Sequence, residues 1–347
     1  MILTRRFFLL AALGLPLSLC GIFSFSYVYL ALAWEFALAL AAGLDMLPIH
    51  RSSWDAARAA PETFRLMQLE PVMIALSNFT NRDQDLFFRD VVPPAFETVP
   101  AGHVKCAANS ITEIRYQVLP VARGIWQWGD LHVRIPGRLG ISAKQFAFRL
   151  PLSIRIYPRY TEGGPFALSS QKKNYLAAKR YRQRGPGKEF ESLRPYRTGD
   201  DPRTIDWKAS ARRDVLITRQ YEVEKNQTLF LMIDCGRLMT TRIGPVGKLD
   251  YVLNSAASMA YLALDQGDFV GVMAFSSDMQ FYLPPTKGLR HFQHLIDKFC
   301  VLEADAYEPD YQRTFAYFHT IQKRRALVAI YTDFLDLESS RNLIANL

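Results

Sequence analysis

Between Phe7 and Leu44 a single side chain, Glu35, carries a charge. No other stretch restricts the fold so strongly. A helix needs about 20 apolar residues to cross a bilayer core. This run has room for two, about Phe7 to Phe23 and about Tyr27 to Leu44, with Gly21 and Ser24-Phe25-Ser26 at the bend. The expected form is a transmembrane helical hairpin over residues 1–50. Thr4 to Leu9 resembles a twin-arginine signal, and Leu17-Ser18-Leu19-Cys20 a lipoprotein cleavage site. Leu19 is large where a small residue is wanted, and a cleaved signal is not followed at once by a second apolar run. Arg5 and Arg6 precede the first span, Arg51 and Arg58 follow the second, and the loop between has no cation. Positive charge favours the cytoplasmic side, so a multi-pass protein with both ends in the cytoplasm is expected. Glu35 reads as an interface or hairpin-interior residue.

The chain's 347 residues, at 49% hydrophobic content, are enough for two domains of ordinary size. From residue 60 to 158 apolar residues alternate. Val72, Ile74 and Leu76 lie on one side, Ile114, Tyr116 and Val118 flank Arg115 and Gln117, and Leu131, Val133 and Ile135 flank His132 and Arg134. Leu152, Ile154 and Ile156 repeat the pattern. Period-2 runs broken by Pro, Gly and Asn predict a small antiparallel β-sandwich domain. His103 and Cys106 are three apart but have no further ligand nearby, so a metal is not expected there.

Residues 159–227 form a basic link and a charged segment. Lys172, Lys173, Lys179, Arg180, Arg182, Arg184 and Lys188 cluster on or beside a predicted helix, about Ser169 to Gln183. With a net charge of +9, the partners to weigh are membrane lipids, nucleic acid and an acidic protein. A chain already tethered to a bilayer favours lipid headgroups. No RNA-binding aromatic signature or helix-turn-helix pattern accompanies the charge. The four cysteines lack the spacing of a disulfide framework or a zinc site.

From residue 228 onward, apolar runs alternate with helical periods. Thr228 to Asp234, Phe269 to Phe275 and Ala326 to Thr332 read as buried strands, and Gln280 to Leu283 as a short partner strand. Lys248 to Gln266, Leu289 to Cys300 and Asp310 to Gln322 read as helices. This order predicts a doubly wound parallel α/β domain over residues 228–347. Ligands bind such sheets at the carboxyl ends of strands, where Asp234 and Asp333 stand.

Gly185 to Glu222 is the densest charged stretch and follows neither helical nor strand period. Within it run Gly187-x-Glu189-Phe190-Glu191-x-Leu193-Arg194-x-Tyr196-x-x-Gly199-Asp200-Asp201-x-Arg203-x-Ile205-Asp206-Trp207-Lys208-Ala209-Ser210-Ala211-Arg212. This pattern resembles the signature of the bacterial family called domain of unknown function 58. The order of parts is also similar: N-terminal spans, a β-rich segment, the signature, then a von Willebrand factor A-like domain. The resemblance implies a bacterial inner-membrane protein that partners a MoxR-type AAA+ ATPase, with roles in chaperone-like assembly, metal insertion or envelope stress. It makes Glu189, Arg194, Tyr196, Asp200, Asp201, Arg203, Asp206, Trp207 and Arg212 the protein-interaction and structural signature.

The von Willebrand A fold often carries a Mg²⁺ site, Asp-x-Ser-x-Ser with a Thr and an Asp from later loops. Here the matching residues are Asp234-Cys235-Gly236-Arg237-Leu238, so both hydroxyls are missing, and Glu308-Pro309-Asp310-Tyr311 supplies no threonine. Asp333 matches the last acidic position, and Arg237 is placed to neutralise a carboxylate. The expectation is a degenerate site at Asp234, Gly236 and Asp333, without a cofactor, kept as a protein-binding surface. After Asp336 only a short helix-like segment, Ser339 to Leu347, remains. A complete fold of this type adds at least one more strand and helix, so the domain reads as incomplete.

Three functions compete. The first is a membrane-anchored assembly factor that docks an ATPase. The second is a hydrolase using Asp200, Asp201 and Asp206 as acid, base or metal ligands. No G-x-S-x-G, H-E-x-x-H or P-loop lysine accompanies them, and His291 and His294 lack a third ligand. The third is a nucleic-acid binder, which rests on charge alone. The first fits most features, and no small-molecule substrate is indicated.

Overall fold

The computed structural model describes residues 2–22, 24–47, 49, 53–160, 189–197, 200–222 and 227–333. The chain divides into two compact units, Met1–Tyr157 and Pro158–Leu347. The predicted basic helix (169–183), Gly199 and the final segment (339–347) lie outside the described residues.

The first unit opens with a short strand, β1 (Ile2–Leu3), and three helices, α1 (Arg5–Ala12), α2 (Gly14–Leu19) and α3 (Phe25–Met46). The expected first span is not one helix. It is interrupted at Leu13, whose N–H closes a tighter turn onto Leu10 O at 3.2 Å. Pro16 brings no N–H to the ladder. The Trp34 indole donates to the same Leu10 carbonyl at 3.0 Å. A Cβ on Gly14 would come within 2.6 Å of Glu35 Oε1, so the two arms approach closely because that residue is glycine. Among the described residues only α3, with 22 residues, is long and apolar enough to cross a bilayer; its length is about 33 Å at 1.5 Å per residue. The expected two-span hairpin is therefore corrected to one candidate span.

The strands of this unit are β2 (Trp54–Ala59), β3 (Thr63–Arg65), β4 (Glu70–Asn78), β5 (Gln84–Asp90), β6 (Ala101–Cys106), β7 (Ser110–Val118), β8 (Gly124–Trp128), β9 (Leu131–Pro136), β10 (Ser142–Phe148) and β11 (Leu152–Tyr157). They form a five-stranded sheet in the order β1-β10-β9-β5-β6, and three-stranded sheets β2-β4-β7 and β3-β11-β8. Pairing is antiparallel except between β3 and β11. Alternation puts Ile74 and Leu76 of one sheet against Leu86, Leu131, Val133, Ile135 and Phe148 of another in one core. Each such side chain contributes roughly 1.5–3 kcal/mol when fully buried.

Inside this unit lies a charged cluster that the hydrophobic pattern does not announce. Arg58 and Asp90 are ion-paired with their side chains 2% and 0% exposed. Arg58 also donates to Leu150 O at 2.9 Å and Gly129 O at 2.8 Å. Tyr116 O–H and Trp128 Nε1 donate to the other carboxylate oxygen of Asp90. Burial, reinforced by the Asp90 charge, pushes the Tyr116 phenol far above its ordinary range.

The helical segment is tied to the β-strands at the β9–β10 loop. Asp45, near the end of α3, is buried and accepts from Leu139 N at 2.7 Å and from Ser142 N and Oγ at 3.3 and 3.1 Å. Thr4 Oγ1 donates to Gly140 O at 2.6 Å and lies 2.9 Å from Ile141 O. Gly137 is packed so tightly on Asp45 that a Cβ would collide with the carboxylate.

Among the described residues of the second unit the first elements are β12 (Glu189–Pro195), α4 (Trp207–Arg213) and β13 (Ile217–Glu222). Then follow β14 (Thr228–Asp234), β15 (Arg242–Ile243), β16 (Val246–Gly247), α5 (Lys248–Asp265), β17 (Phe269–Phe275), β18 (Met279–Thr286), α6 (Leu289–Val301), α7 (Tyr311–Ile321) and β19 (Leu327–Tyr331). The main sheet has the order β18-β17-β14-β19. β14 runs parallel to β17 and β19, while β18 runs antiparallel to β17. Residues 276–278 alone separate β17 from β18, and a parallel neighbour needs a crossover of a dozen or more residues. Helix α7 lays Tyr311, Phe315 and Phe318 over Phe230, Met232, Met273 and Phe275.

Taken over both units the described residues are mixed and largely β. The expected doubly wound, von Willebrand A-like fold is corrected accordingly: among the described residues this sheet is a short mixed one with an antiparallel edge, not a doubly wound parallel one.

Candidate functional site

The charged signature folds into a small module. Its frame is the antiparallel pair β12–β13, in which Arg194 is opposite Thr218 and Pro195 opposite Ile217. Arg194 pairs with Asp200 at 2.7 Å. The other Asp200 oxygen accepts from Arg197 N at 2.9 Å, and Tyr196 O–H donates to Asp200 O at 3.0 Å. Asp201 caps the single turn Pro202–Thr204 by accepting from Arg203 N at 3.0 Å. Such Asx contacts are the reason aspartates recur in turns.

Asp206 is the N-cap of α4. Its side chain accepts from Lys208 N at 3.1 Å and Ala209 N at 3.0 Å, and its second oxygen accepts from Arg219 Nε at 3.0 Å. The Ala209 amide first, then Arg219, hold its carboxyl below the usual range. Buried Ser210 locks the helix to β13, donating to Asp206 O at 2.7 Å and accepting from Ile217 N at 2.8 Å. The helix ends at Asp214, whose φ of 52° is the left-handed conformation of a C-terminal stop.

Other signature side chains stand apart from these contacts. Trp207 is 69% exposed. Arg203 and Arg212 are exposed and have no ion-pair partner among the described residues. The side chain of Glu189 lies outside the described residues, though its backbone is in β12. What spacing along the chain missed is the pairing of Asp206 with Arg219, thirteen residues on, which only the hairpin register brings together.

The second cluster stands at the carboxyl ends of β14 and β19. Asp234, 2% exposed, accepts from Gly236 N at 2.7 Å, Thr332 Oγ1 at 2.6 Å and Tyr311 O–H at 3.1 Å. Burial raises its carboxyl above the ordinary range; the Thr332, Gly236 and Tyr311 hydrogen bonds oppose that and the charge of Asp305 adds to it. Asp333 is ion-paired with Lys248 at the start of α5. Arg237 turns away to Glu308 at 3.0 Å, so it is Lys248 that neutralises an acid here. Asp305 accepts from Ser276 Oγ and from Tyr307 N.

These residues do not fit the Mg²⁺ that the resemblance implies. Both Asp234 oxygens are taken by protein donors and Asp333 by an ammonium. A Cβ on Gly236 would stand 2.8 Å from Pro309 Cδ and 3.0 Å from Tyr307 O. The missing hydroxyl is thus replaced by a close packing contact. No group of three or more His, Cys, Asp or Glu suited to a metal occurs among the described residues.

Comparison with known proteins agrees with the signature. Residues 192–346 match the family model "Protein of unknown function DUF58". The chain is 26% identical over 204 residues to the uncharacterized protein YeaD of Bacillus subtilis, covering 56% of this chain and 46% of that protein. It is 24% identical over 153 residues to the uncharacterized protein Rv1480 of Mycobacterium tuberculosis, covering 44% and 48%. The alignments thus span about half the length of these curated relatives. Among solved structures, the CARDB domain of the PF1109 protein from Pyrococcus furiosus aligns with 30% of this chain and 86% of its own, at 8% identity and a TM-score of 0.24. A segment of α2-macroglobulin from Escherichia coli aligns with 31% of this chain and 17% of its own, at 18% identity and a TM-score of 0.24.

Proposed function

We propose that the chain is a membrane-anchored docking factor, and that the signature module presents Trp207 to an acidic surface of a partner protein. The observation that carries this reading is the exposure of Trp207 at 69% on a rigid, hydrogen-bonded mount. The same segment carries Arg203, Lys208, Arg212 and Arg213, exposed and without ion-pair partners among the described residues. Tryptophan and arginine dominate interface hot spots, and net positive charge selects an acidic partner. The family resemblance suggests a MoxR-type AAA+ ATPase, acting in maturation or assembly of other proteins or in envelope stress.

Helix α3 supplies the anchor in this reading. Arg5 and Arg6 follow Thr4, and Thr4 and Asp45 are held by the same β9–β10 loop. Cations therefore gather at the end of α3 that joins the β-rich strands, which favours a cytoplasmic, inner-membrane location for those strands. The rival hydrolase reading weakens for a local reason: Asp200, Asp201 and Asp206 serve as turn, cap and ion-pair acceptors.

The test is binding of the detergent-solubilised full chain to the ATPase by interferometry. Trp207→Ala is expected to weaken capture at least tenfold, and Arg203→Glu/Arg212→Glu by a similar factor, with unchanged melting temperatures. Wild-type affinity in both variants would reject the surface; no affinity in the parent would reject the partner.

A further inference from the structure

The outer face of the five-stranded sheet carries a groove of about 380 Å³ lined by Phe87, Arg89, Val91, His132, Arg134 and Gln145. Cross-strand register builds it. Arg89 of β5 is opposite His132 of β9, Phe87 is opposite Arg134, and Arg134 is opposite Gln145 of β10. Two arginines and a histidine therefore meet on one face, and no acid lines the space. Like charges on neighbouring strands are destabilising, and the acids on this face, Asp85 and Asp130, flank the groove without lining it. Arg89 and Arg134 have no carboxylate partner among the described residues; Arg134 donates only to the neutral Gln145 Oε1, at 3.2 Å. Asp85, the acid on the same strand face, is opposite Lys105 and outside the groove.

A second observation points the same way. His132 Nδ1 is enclosed and has no hydrogen-bond partner among the described residues. Orphaned polar atoms of this kind call for a water or an ion. Phe87, packed edge-on against His103 with centroids 5.2 Å apart, gives one wall an apolar surface.

We propose that this groove binds a phosphate group, and that the phosphate is carried by an anionic lipid headgroup beside the anchor. Planar guanidinium forks match phosphate oxygens in geometry and charge. The lipid source follows from position. β9 runs into the loop that Asp45 of α3 grips. At roughly 3.3 Å per residue, Arg134 and His132 lie about 7 and 13 Å along the strand from its last residue, Pro136. The headgroup layer on one side of a bilayer is itself roughly 5–8 Å deep. The groove thus lies within about 13 Å, measured along β9, of the loop that holds the end of α3. The inference rests on α3 being a membrane anchor and is independent of docking through Trp207.

The experiment uses the full chain in neutral maltoside detergent, with calorimetric titration of three probes: dihexanoyl phosphatidylglycerol, dihexanoyl phosphatidylcholine and inorganic phosphate. Saturable binding of the phosphatidylglycerol is expected, with the phosphatidylcholine and phosphate at least tenfold weaker. Arg89→Gln/Arg134→Gln should lower the phosphatidylglycerol affinity at least tenfold. Gln145→Glu provides a second variant that keeps both arginines: it places a carboxylate in the groove to compete with the ligand, and the same loss is expected. Phosphate binding as tightly as phosphatidylglycerol would overturn the lipid source. Undiminished phosphatidylglycerol binding in both variants, or none in the parent, would overturn the site.

Discussion

Asp90 and Asp234 are both buried aspartates, 0% and 2% exposed, and their surroundings solve the same problem differently. Asp90 has a full cation beside it. Arg58 pairs with it, lies over the Trp128 ring at 5.1 Å and fills two backbone carbonyls, while Tyr116 and Trp128 complete the carboxylate. Asp234 has two hydroxyls and one amide and no cation contact among the described residues. A buried charge without a partner shifts toward its neutral form, which is the direction found for Asp234. The first arrangement fixes a core; the second leaves a strand-end carboxyl whose charge is free to vary.

The sharpest way to break this contrast is to remove one member of the buried pair. Arg58→Ala or Asp90→Ala leaves an uncompensated charge in the β-rich unit, and each should cost about 3–5 kcal/mol. Urea unfolding followed by tryptophan fluorescence reads this directly. Arg58→Met/Asp90→Leu should cost less than either single change, because burying two apolar chains avoids the stranded charge. Single variants within 1 kcal/mol of the parent would mean that the pair is incidental to the core.

A smaller effect tests the strand-end cluster. Gly236→Ser restores a hydroxyl of the adhesion-site pattern but drives its Cβ into Pro309 and Tyr307. Overpacking of this kind costs typically about 1–3 kcal/mol. The variant is expected to melt lower and to gain no stabilisation from millimolar Mg²⁺. A Mg²⁺-dependent rise in its melting temperature would show that the cluster holds a metal once that oxygen is supplied, and would overturn the misfit.

Much of the β-rich unit was legible because a half-buried strand writes its two faces into alternate residues. Leu131, Val133 and Ile135 are buried and His132 and Arg134 are not. The strands Thr228–Asp234 and Phe269–Phe275 were legible for the opposite reason, being continuous apolar runs, the first ending in Asp234, and buried on both faces. Period says nothing of direction; the four residues between the runs Phe269–Phe275 and Gln280–Leu283 already required an antiparallel pair, and the doubly wound reading overlooked that connection length. Hydropathy likewise misjudged the first apolar arm, where Gly14 and Pro16 outweigh the surrounding leucines. In the sites, Asp201 and Asp206 announce turns and caps locally. Contacts set by tertiary register, such as Arg58 with Asp90, Arg89 beside His132 and Lys248 with Asp333, have no spacing in the chain to reveal them.

The smallest predicted effect is a pair of opposite pH responses. The Asp234 carboxyl is raised by burial, so the folded state takes up its proton at higher pH than the unfolded chain does. Its ionised form costs stability at neutral pH, and that cost is relieved as pH falls through the folded value toward the unfolded value of about 3.9. The Asp206 carboxyl is lowered by the Ala209 amide and by Arg219. It contributes stability above about pH 4, lost as pH falls further through its own folded value. Asp234→Asn should therefore be more stable relative to its parent at pH 7 than at pH 4, its advantage shrinking over that interval. Asp206→Asn should be less stable than the parent at pH 7, with a deficit that stays constant down to about pH 4 and closes only below it. Melting temperatures of parent and variants at half-unit pH steps separate the two, because the gaps close from opposite sides and in different windows. An Asp234→Asn gap independent of pH would mean that the hydroxyl and amide partners of Asp234 offset its burial in full, and the reading of Asp234 as an under-compensated buried acid would fail.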